Sequence, residues 1–127
     1  MASAVLDASV LLAHISGEKG SETVPKLASG ALLSTVNLAE IFAKLLERNF
    51  TANEAGEAIY GYRFDPVPFD RELARRAAVL RPLTKAFGLS LGDRACLALA
   101  QRERLPALTA DKSWTKLSIG IEIRVIR

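Results

Sequence analysis

Hydrophobic positions along this chain alternate between short, mostly apolar runs and longer stretches with helical spacing. Residues 4–6 and 32–36 are short runs of the kind that buried strands show. Between such runs, apolar residues recur every three or four positions, as in residues 38–48. Strands that alternate with helices in this way predict an α/β fold with a mainly parallel sheet.

The same pattern predicts where each element lies. The predicted strands cover residues 4–6, 32–36, 65–69, 106–109 and 121–126. The predicted helices cover residues 8–15, a short segment from about 21, and residues 38–48, 52–62, 71–80 and 91–102, with helical turns at 84–87 and 113–117. Pro66 and Pro68 favour an edge position for the third strand. Thr51 and Asp70 are predicted N-caps.

Length and composition indicate one globular domain, residues 1–127, with 50% hydrophobic and 24% charged residues. Cys96 is the only cysteine, so no internal disulfide can form, which fits a reducing compartment. The chain shows neither a membrane-spanning run nor a secretory signal. We therefore expect a cytoplasmic protein that has no contact with a membrane.

Four acids occupy equivalent positions in the predicted elements. Asp7 and Asp111 each follow a strand, whereas Glu40 and Asp93 lie in the first turn of a helix. Strand ends and the following helix starts share one rim of a parallel sheet, where such sheets bind ligands. The four carboxylates are therefore expected to converge. Hard oxygen ligands favour Mg²⁺ or Mn²⁺, and because His14 is the only histidine, a His-rich zinc site is excluded.

Each acid also has a purely structural interpretation. Asn37 with Glu40, and Ser90 with Asp93, have the spacing of capping boxes. Asp7 and Asp111 could serve as N-caps, as we predict for Asp70. Taken singly, each acid is better explained as a helix-capping residue than as a catalytic or metal-binding residue. Taken together, several carboxylates on one rim repel each other unless a cation compensates, and this favours a metal site.

The charge balance fits a polyanionic substrate. Seventeen Lys and Arg residues face fourteen acids, a net charge of +3; setting the four rim acids aside leaves +7. Arg94 and Lys112 adjoin rim acids and are candidates for contact with phosphate. The denser basic segment, residues 71–85, is better interpreted as a solvated helix face.

Four segments carry a resemblance to a known family. Val5-Leu-Asp-Ala-Ser-Val-Leu-Leu-Ala13 resembles the N-terminal motif of PIN domains, and Thr35-Val-Asn-Leu-Ala-Glu40 resembles their second motif. Leu89-Ser-Leu-Gly-Asp-Arg-Ala-Cys-Leu-Ala98 and Leu108-Thr-Ala-Asp-Lys-Ser-Trp114 resemble the third and fourth. Their order and spacing, with the total length, are similar to those of the compact VapC-type toxins of bacterial toxin–antitoxin pairs.

This resemblance implies a three-layer α/β/α sandwich and an endoribonuclease that depends on Mg²⁺ or Mn²⁺. It also implies a homodimer and a cognate antitoxin that occludes the site. Carried onto this sequence, the catalytic and metal-binding acids are Asp7, Glu40, Asp93 and Asp111, and the supporting polar residues are Ser9, Asn37 and Thr109. The surplus of apolar residues in the helices at 38–48 and 52–62 is either core or an antitoxin groove, with core as the default.

Three other functions stay open. A catalytically silent PIN scaffold would bind RNA or protein without cleaving it. A Mg²⁺-dependent phosphotransfer domain also places an Asp after its first strand, but the phosphatase pattern needs a second Asp where this chain has Ser9. A nuclease directed at DNA would use the same chemistry as one directed at RNA.

Overall fold

A parallel sheet of five strands forms the centre of the molecule, whose computed structural model describes all 127 residues. The strands are β1 (Val5–Leu6), β2 (Leu32–Ser34), β3 (Asp65–Val67), β4 (Ala107–Thr109) and β5 (Ile123–Val125). Their order is β3-β2-β1-β4-β5, and every neighbouring pair is parallel. β1 is thus central, and the Pro66-containing β3 lies at an edge, as predicted.

Helices cover both faces of this sheet. One face carries α1 (Ala8–Ile15), α2 (Val24–Ala28), α3 (Thr35–Glu47) and α4 (Ala52–Tyr60). The other carries α5 (Arg71–Val79), α6 (Arg81–Thr84) and α7 (Leu91–Glu103), and two 3₁₀ turns follow at Lys85–Phe87 and Lys112–Lys116. None of these helices is both long and apolar enough to cross a membrane.

Two hydrophobic cores lie on opposite sides of the sheet because successive strand residues point to opposite faces. Leu6, Leu33 and Leu108 belong to the core under α1 to α4. Their preceding neighbours, Val5, Leu32 and Ala107, belong to the core under α5 and α7. This arrangement confirms the predicted three-layer α/β/α architecture.

The second strand and the third helix meet at a different residue from the predicted one. β2 ends at Ser34, and α3 begins directly at Thr35 rather than at residue 38. The Ser34 hydroxyl accepts a hydrogen bond from the backbone N–H of Val36 at 3.2 Å and so caps the helix. Asn37 therefore lies inside α3, and its interpretation as a capping residue was wrong.

Other helix starts follow the capping signals in the sequence. Thr51 and Glu54 form a complete capping box at α4, and Asp70 accepts from the N–H of Leu73 at α5, as predicted. The short α2 begins at Val24 rather than near residue 21, because the Ser21 hydroxyl bonds to the Glu18 carbonyl in the preceding turn. α7 is the deeply buried helix that its composition predicted.

Candidate active site

The predicted site residues lie where the central strands end. Asp7 follows β1 directly, and Thr109 is the last residue of the neighbouring β4. Glu40 lies in the second turn of α3 and not in the predicted first turn, because α3 begins immediately after β2, at Thr35. Asp93 is the third residue of α7. The parallel sheet therefore brings together residues more than one hundred positions apart in the chain.

Asp7 is the buried centre of this region, with only 5% of its surface exposed. Its Oδ2 accepts hydrogen bonds from the Ser9 hydroxyl at 2.6 Å and from the Thr109 hydroxyl at 3.1 Å. Burial raises the pKa of Asp7 to about 6; the negative charges of Asp93 and Glu40 also raise it, while the two hydroxyl donors lower it. Asp93 and Glu40 thus lie close enough to Asp7 for their negative charges to disfavour its ionised form.

Ser9 and Thr109 join Asp7 to the loop after β4. The Ser9 hydroxyl accepts from the backbone N–H of Ala110 at 2.9 Å, and the Thr109 hydroxyl accepts from that of Asp111 at 3.1 Å. Both hydroxyl hydrogens are then directed to Asp7. The two residues predicted as support for the site do lie in hydrogen-bond contact with its buried acid.

Asp93 has two roles at the start of α7. Its Oδ2 accepts from the N–H of Ser90 at 2.9 Å, while the Ser90 hydroxyl accepts from the N–H of Asp93 at 3.2 Å. The capping box predicted from the sequence is therefore present. It occupies one carboxylate oxygen only. The same residue caps its helix and contributes charge to the acid cluster.

Glu40 is held by Asn37, one turn earlier in α3. The Asn37 side-chain amide donates to Glu40 Oε1 at 2.9 Å and to the Gly92 carbonyl at 3.0 Å. Asn37 is fully buried, and its Oδ1 has no hydrogen-bond partner. An oxygen acceptor left without a donor beside acidic side chains is suited to a cation.

Asp111 stands apart from the other three acids. It is exposed, and its Oδ1 accepts from both the N–H and the hydroxyl of Ser113, at 2.9 and 2.7 Å. It therefore caps the 3₁₀ turn that follows. Asp93 and Glu40 influence the charge state of Asp7, and Asp111 is not among the groups that do. Only the hydrogen bond between its N–H and Thr109 joins it to the cluster.

The chemistry of the donors fits a hard divalent cation. Each of the four acids has one oxygen held by a hydrogen bond within the protein and a second oxygen that accepts none. Such anchored carboxylates are ready to act as single-oxygen ligands for Mg²⁺ or Mn²⁺. As the side chains stand, no three of the acidic, His or Cys residues are close enough to hold an ion together.

The two candidate phosphate contacts differ in their surroundings. The Arg94 guanidinium donates to the Ala77 carbonyl at 3.0 Å, and its Nε is buried without a partner. In this structure Arg94 joins α7 to α5, so a contact with phosphate requires it to leave that bond. Lys112 is exposed next to Asp111 and forms no salt bridge. Lys112 is the freer candidate.

Sequence reasoning did not identify two residues that belong to this region. Gly92 packs its backbone against the carboxylate of Glu40. Cys96 is completely buried, and the pKa of its thiol is raised by burial and by the charges of Asp7, Asp93 and Glu40. The thiol is therefore protonated and lies beneath the acids. Nothing in the sequence distinguishes this glycine or this cysteine from ordinary helix residues.

Solved structures of toxin–antitoxin proteins share this fold. The chain is similar to one in a toxin–antitoxin complex from Klebsiella pneumoniae, with a TM-score of 0.74 and 22% identity over 98% of both chains. It is also similar to DNA-bound VapBC from Salmonella typhimurium, with a TM-score of 0.77 and 16% identity over 100% of both chains. A third is VapBC-5 from Mycobacterium tuberculosis, with a TM-score of 0.63 and 23% identity over 100% of this chain and 99% of that one.

A sequence search finds no match among curated proteins. The sequence profile of the PIN domain, however, matches residues 4–119. The match spans most of the chain and includes all four acids of the site. Together with the sheet order and the acids at its carboxyl rim, this places the chain in the PIN domain family.

Proposed function

We propose that this chain is a metal-dependent endoribonuclease and that it acts as the toxin of a toxin–antitoxin pair. The observation that carries the proposal is the buried carboxylate of Asp7, whose pKa is raised to about 6 by burial and by two neighbouring acids. Cells work near neutral pH, where this site bears several negative charges at close quarters. A divalent cation is the group that such a site would bind.

Asp7, Glu40 and Asp93 are the residues that would hold the ion, with Asp111 joining from the loop after β4. A bound Mg²⁺ or Mn²⁺ would supply Lewis acidity and would lower the pKa of a water, so that the water could lose its proton, attack the phosphodiester phosphorus at neutral pH and displace the 3′-oxygen. Ser9 and Thr109 hold Asp7 Oδ2 by hydrogen bonds and leave Oδ1 without one, so Oδ1 is available as a ligand. Glu40 Oε2 accepts no hydrogen bond, so this oxygen is available either as a metal ligand or as the base that takes a proton from the attacking water.

We propose RNA as the substrate; the surface charge supports a nucleic acid in general, because RNA and DNA carry the same phosphate charge. Ten acids outside the site face seventeen basic residues, so the exterior is positive around an acidic rim. Lys112 is exposed directly beside Asp111 and is placed to contact a phosphate. An RNA backbone would thus be held by charge while the carboxylates act on a single phosphodiester.

The proposed protein partner is an antitoxin that binds over α3 and α4. In these helices Ile41, Leu45 and Ile59 are fully buried and belong to the core. Leu46 and Tyr60, in contrast, are 47% and 60% exposed. The Tyr60 ring lies 6.0 Å from that of Phe42 and 6.4 Å from that of Phe64. This exposed apolar strip is suited to a partner helix.

We also propose a homodimer, which sedimentation would reveal as twice the chain mass of 13.7 kDa.

Cleavage of a mixed cellular RNA pool tests the nuclease directly. Wild type, Asp7→Asn and Asp70→Asn are compared with Mg²⁺, with Mn²⁺ and with EDTA. Asp70→Asn is the matched control, because it makes the same chemical change at an exposed helix cap outside the site. We expect discrete, metal-dependent products from wild type and Asp70→Asn and none from Asp7→Asn. Cleavage by folded Asp7→Asn would refute the assignment.

Growth of a bacterial host tests the toxin role. Induced expression of wild type and of Asp70→Asn is expected to arrest growth, whereas Asp7→Asn is expected to be tolerated at the same protein level. If cells that produce active wild-type enzyme grow normally, the proposed toxin role is refuted and the proposed nuclease activity stands.

A catalytically silent PIN scaffold is the second candidate. The observation in its favour is that no three metal-binding side chains close around a common point as they stand. The same cleavage experiment separates the two: a folded wild-type protein that binds RNA but cleaves none with either metal would support the scaffold. Phosphotransfer is disfavoured because Ser9 occupies the position of the second acid and donates its hydrogen to Asp7.

A further inference from the structure

Gly92 occupies a buried position in the first turn of α7, and its missing side chain has a structural meaning. A Cβ at this residue would overlap the carboxylate carbon and both oxygens of Glu40, all well within the 3.0 Å that real Cβ atoms keep. Gly56, in the middle of α4, is different, since a Cβ there would meet nothing closer than the Tyr60 ring at 3.9 Å. The Glu40 carboxylate therefore fills the space that a side chain at residue 92 would take.

Asn37 closes the other side of this space. One of its amide hydrogens goes to Glu40 Oε1 at 2.9 Å and the other to the Gly92 carbonyl at 3.0 Å. Asn37 is fully buried, and its bond to the Gly92 carbonyl is shielded from water, while its bond to Glu40 is only partly shielded. A single side chain thus ties the carboxylate of α3 to the backbone of α7. The next residue of α7 is Asp93.

We infer that Asn37 and Gly92 form a seat that sets the position of the Glu40 carboxylate relative to Asp93. Both act here as positioning residues through Glu40, Asn37 by the hydrogen bonds of its amide group and Gly92 by the space beside its backbone. A site that binds a cation works best when its ligands are held in place before the ion arrives. The inference rests on the proposed function for its metal-binding readout, but the seat itself is a property of the protein alone.

A substitution at Gly92 can distinguish an effect on the stability of the fold from an effect on the position of the Glu40 carboxylate. The group in the way of an added methyl is the far end of a flexible glutamate, so the helix can accept alanine while the carboxylate moves. Alanine also favours a helix more than glycine does, by roughly 1 kcal/mol in general. Gly92→Ala should therefore fold well and yet displace Glu40.

The experiment compares Gly92→Ala with the matched control Gly56→Ala, each alone and combined with Glu40→Gln. Calorimetry measures Mn²⁺ affinity, and melting in EDTA measures stability. We expect Gly92→Ala to bind Mn²⁺ roughly 10- to 100-fold more weakly than wild type, with a melting midpoint no lower than that of wild type. Gly56→Ala should bind as wild type does. In the Glu40→Gln background, adding Gly92→Ala should cause no further loss.

Asn37→Ala removes the amide that donates to Glu40. It is expected to weaken Mn²⁺ binding in the wild-type background and to cause no further loss in the Glu40→Gln background. If Asn37→Ala does not fold, the comparison of Gly92→Ala with Gly56→Ala decides. Gly92→Ala that binds Mn²⁺ as tightly as wild type overturns the seat and leaves the proposed function intact. If wild type itself binds no Mn²⁺, the proposed function fails, and the seat is judged in EDTA from the ¹³C resonance of the Glu40 carboxyl. A change in Gly92→Ala but not in Gly56→Ala supports the seat, and no change overturns it.

Discussion

Replacing Asp7 by Asn is expected to stabilise the metal-free protein at neutral pH, although it removes a residue of the proposed site. The folded chain buries this carboxyl and raises its pKa from 3.8 to about 6, with burial as the largest cause and the charges of Asp93 and Glu40 adding to it. Ionised Asp7 therefore costs folding free energy that a neutral amide does not.

The size and the pH window of this cost follow from the two pKa values. Between about 6 in the folded chain and 3.8 in the unfolded chain, the difference corresponds to about 3 kcal/mol. Below pH 3.8 the carboxyl is protonated in both states and costs nothing. Stability then falls as the pH rises from 3.8 to 6, and the full cost is present above 6. Because Ser9 and Thr109 bond less strongly to an amide, we expect a net gain of about 1 to 2 kcal/mol.

Urea unfolding in EDTA at pH 4 and at pH 7.5 measures this gain. Asp7→Asn should exceed wild type at pH 7.5 and approach it at pH 4, whereas the exposed Asp70→Asn should show no such pH-dependent gain. Excess Mn²⁺ should stabilise wild type at pH 7.5 and reduce the advantage of the variant. A variant that is less stable than wild type at pH 7.5 in EDTA would refute the electrostatic account of Asp7.

Three further changes test other parts of the structure. Thr51→Ala breaks the capping box of α4 and should lower the unfolding free energy by about 1 kcal/mol in urea, with RNA cleavage unchanged; a larger loss would mean that α4 depends on more than its cap. Trp114→Ala removes a side chain that is only 1% exposed and should lower the unfolding free energy in urea by about 3 to 5 kcal/mol. A loss below about 1 kcal/mol would contradict the core role of Trp114. Lys112→Ala should weaken RNA binding and reduce the slope of log affinity against log salt concentration by about one. Lys26→Ala, at an exposed position on α2, should change neither. Equal effects of the two substitutions would show that only the overall charge matters.

Sequence patterns predicted most elements because each depends on local signals. The alternation of strands and helices, the capping box at Thr51, and the edge position of the Pro66-containing strand are all properties of neighbouring residues. The start of α3 was missed for a local reason too. Ser34 and Asn37 are both good N-cap residues, and only the end of the β2 ladder decides that Ser34 is the cap.

The site could be predicted as a set of acids but not as a geometry. Parallel strands place Asp7, Glu40 and Asp93 on one rim, and this follows from topology alone. Their individual surroundings depend on contacts between distant segments. Asn37 bonds to Gly92 across 55 positions of sequence, and no spacing rule reports such a contact. Arg94 follows Asp93 directly, but the helical turn sends its guanidinium to α5 instead.

The direct junctions after the two inner strands decide which parts of the site move together. Asp7 follows β1 with no loop, and α3 starts at the residue after β2. The positions of Asp7 and Glu40 are therefore fixed directly by the sheet. α7 reaches the site only after the turn at Gly88 and is tied to α3 there by the amide of Asn37. Any change in the distance between Glu40 and Asp93 therefore requires α7 to shift relative to α3 at the Asn37 contact.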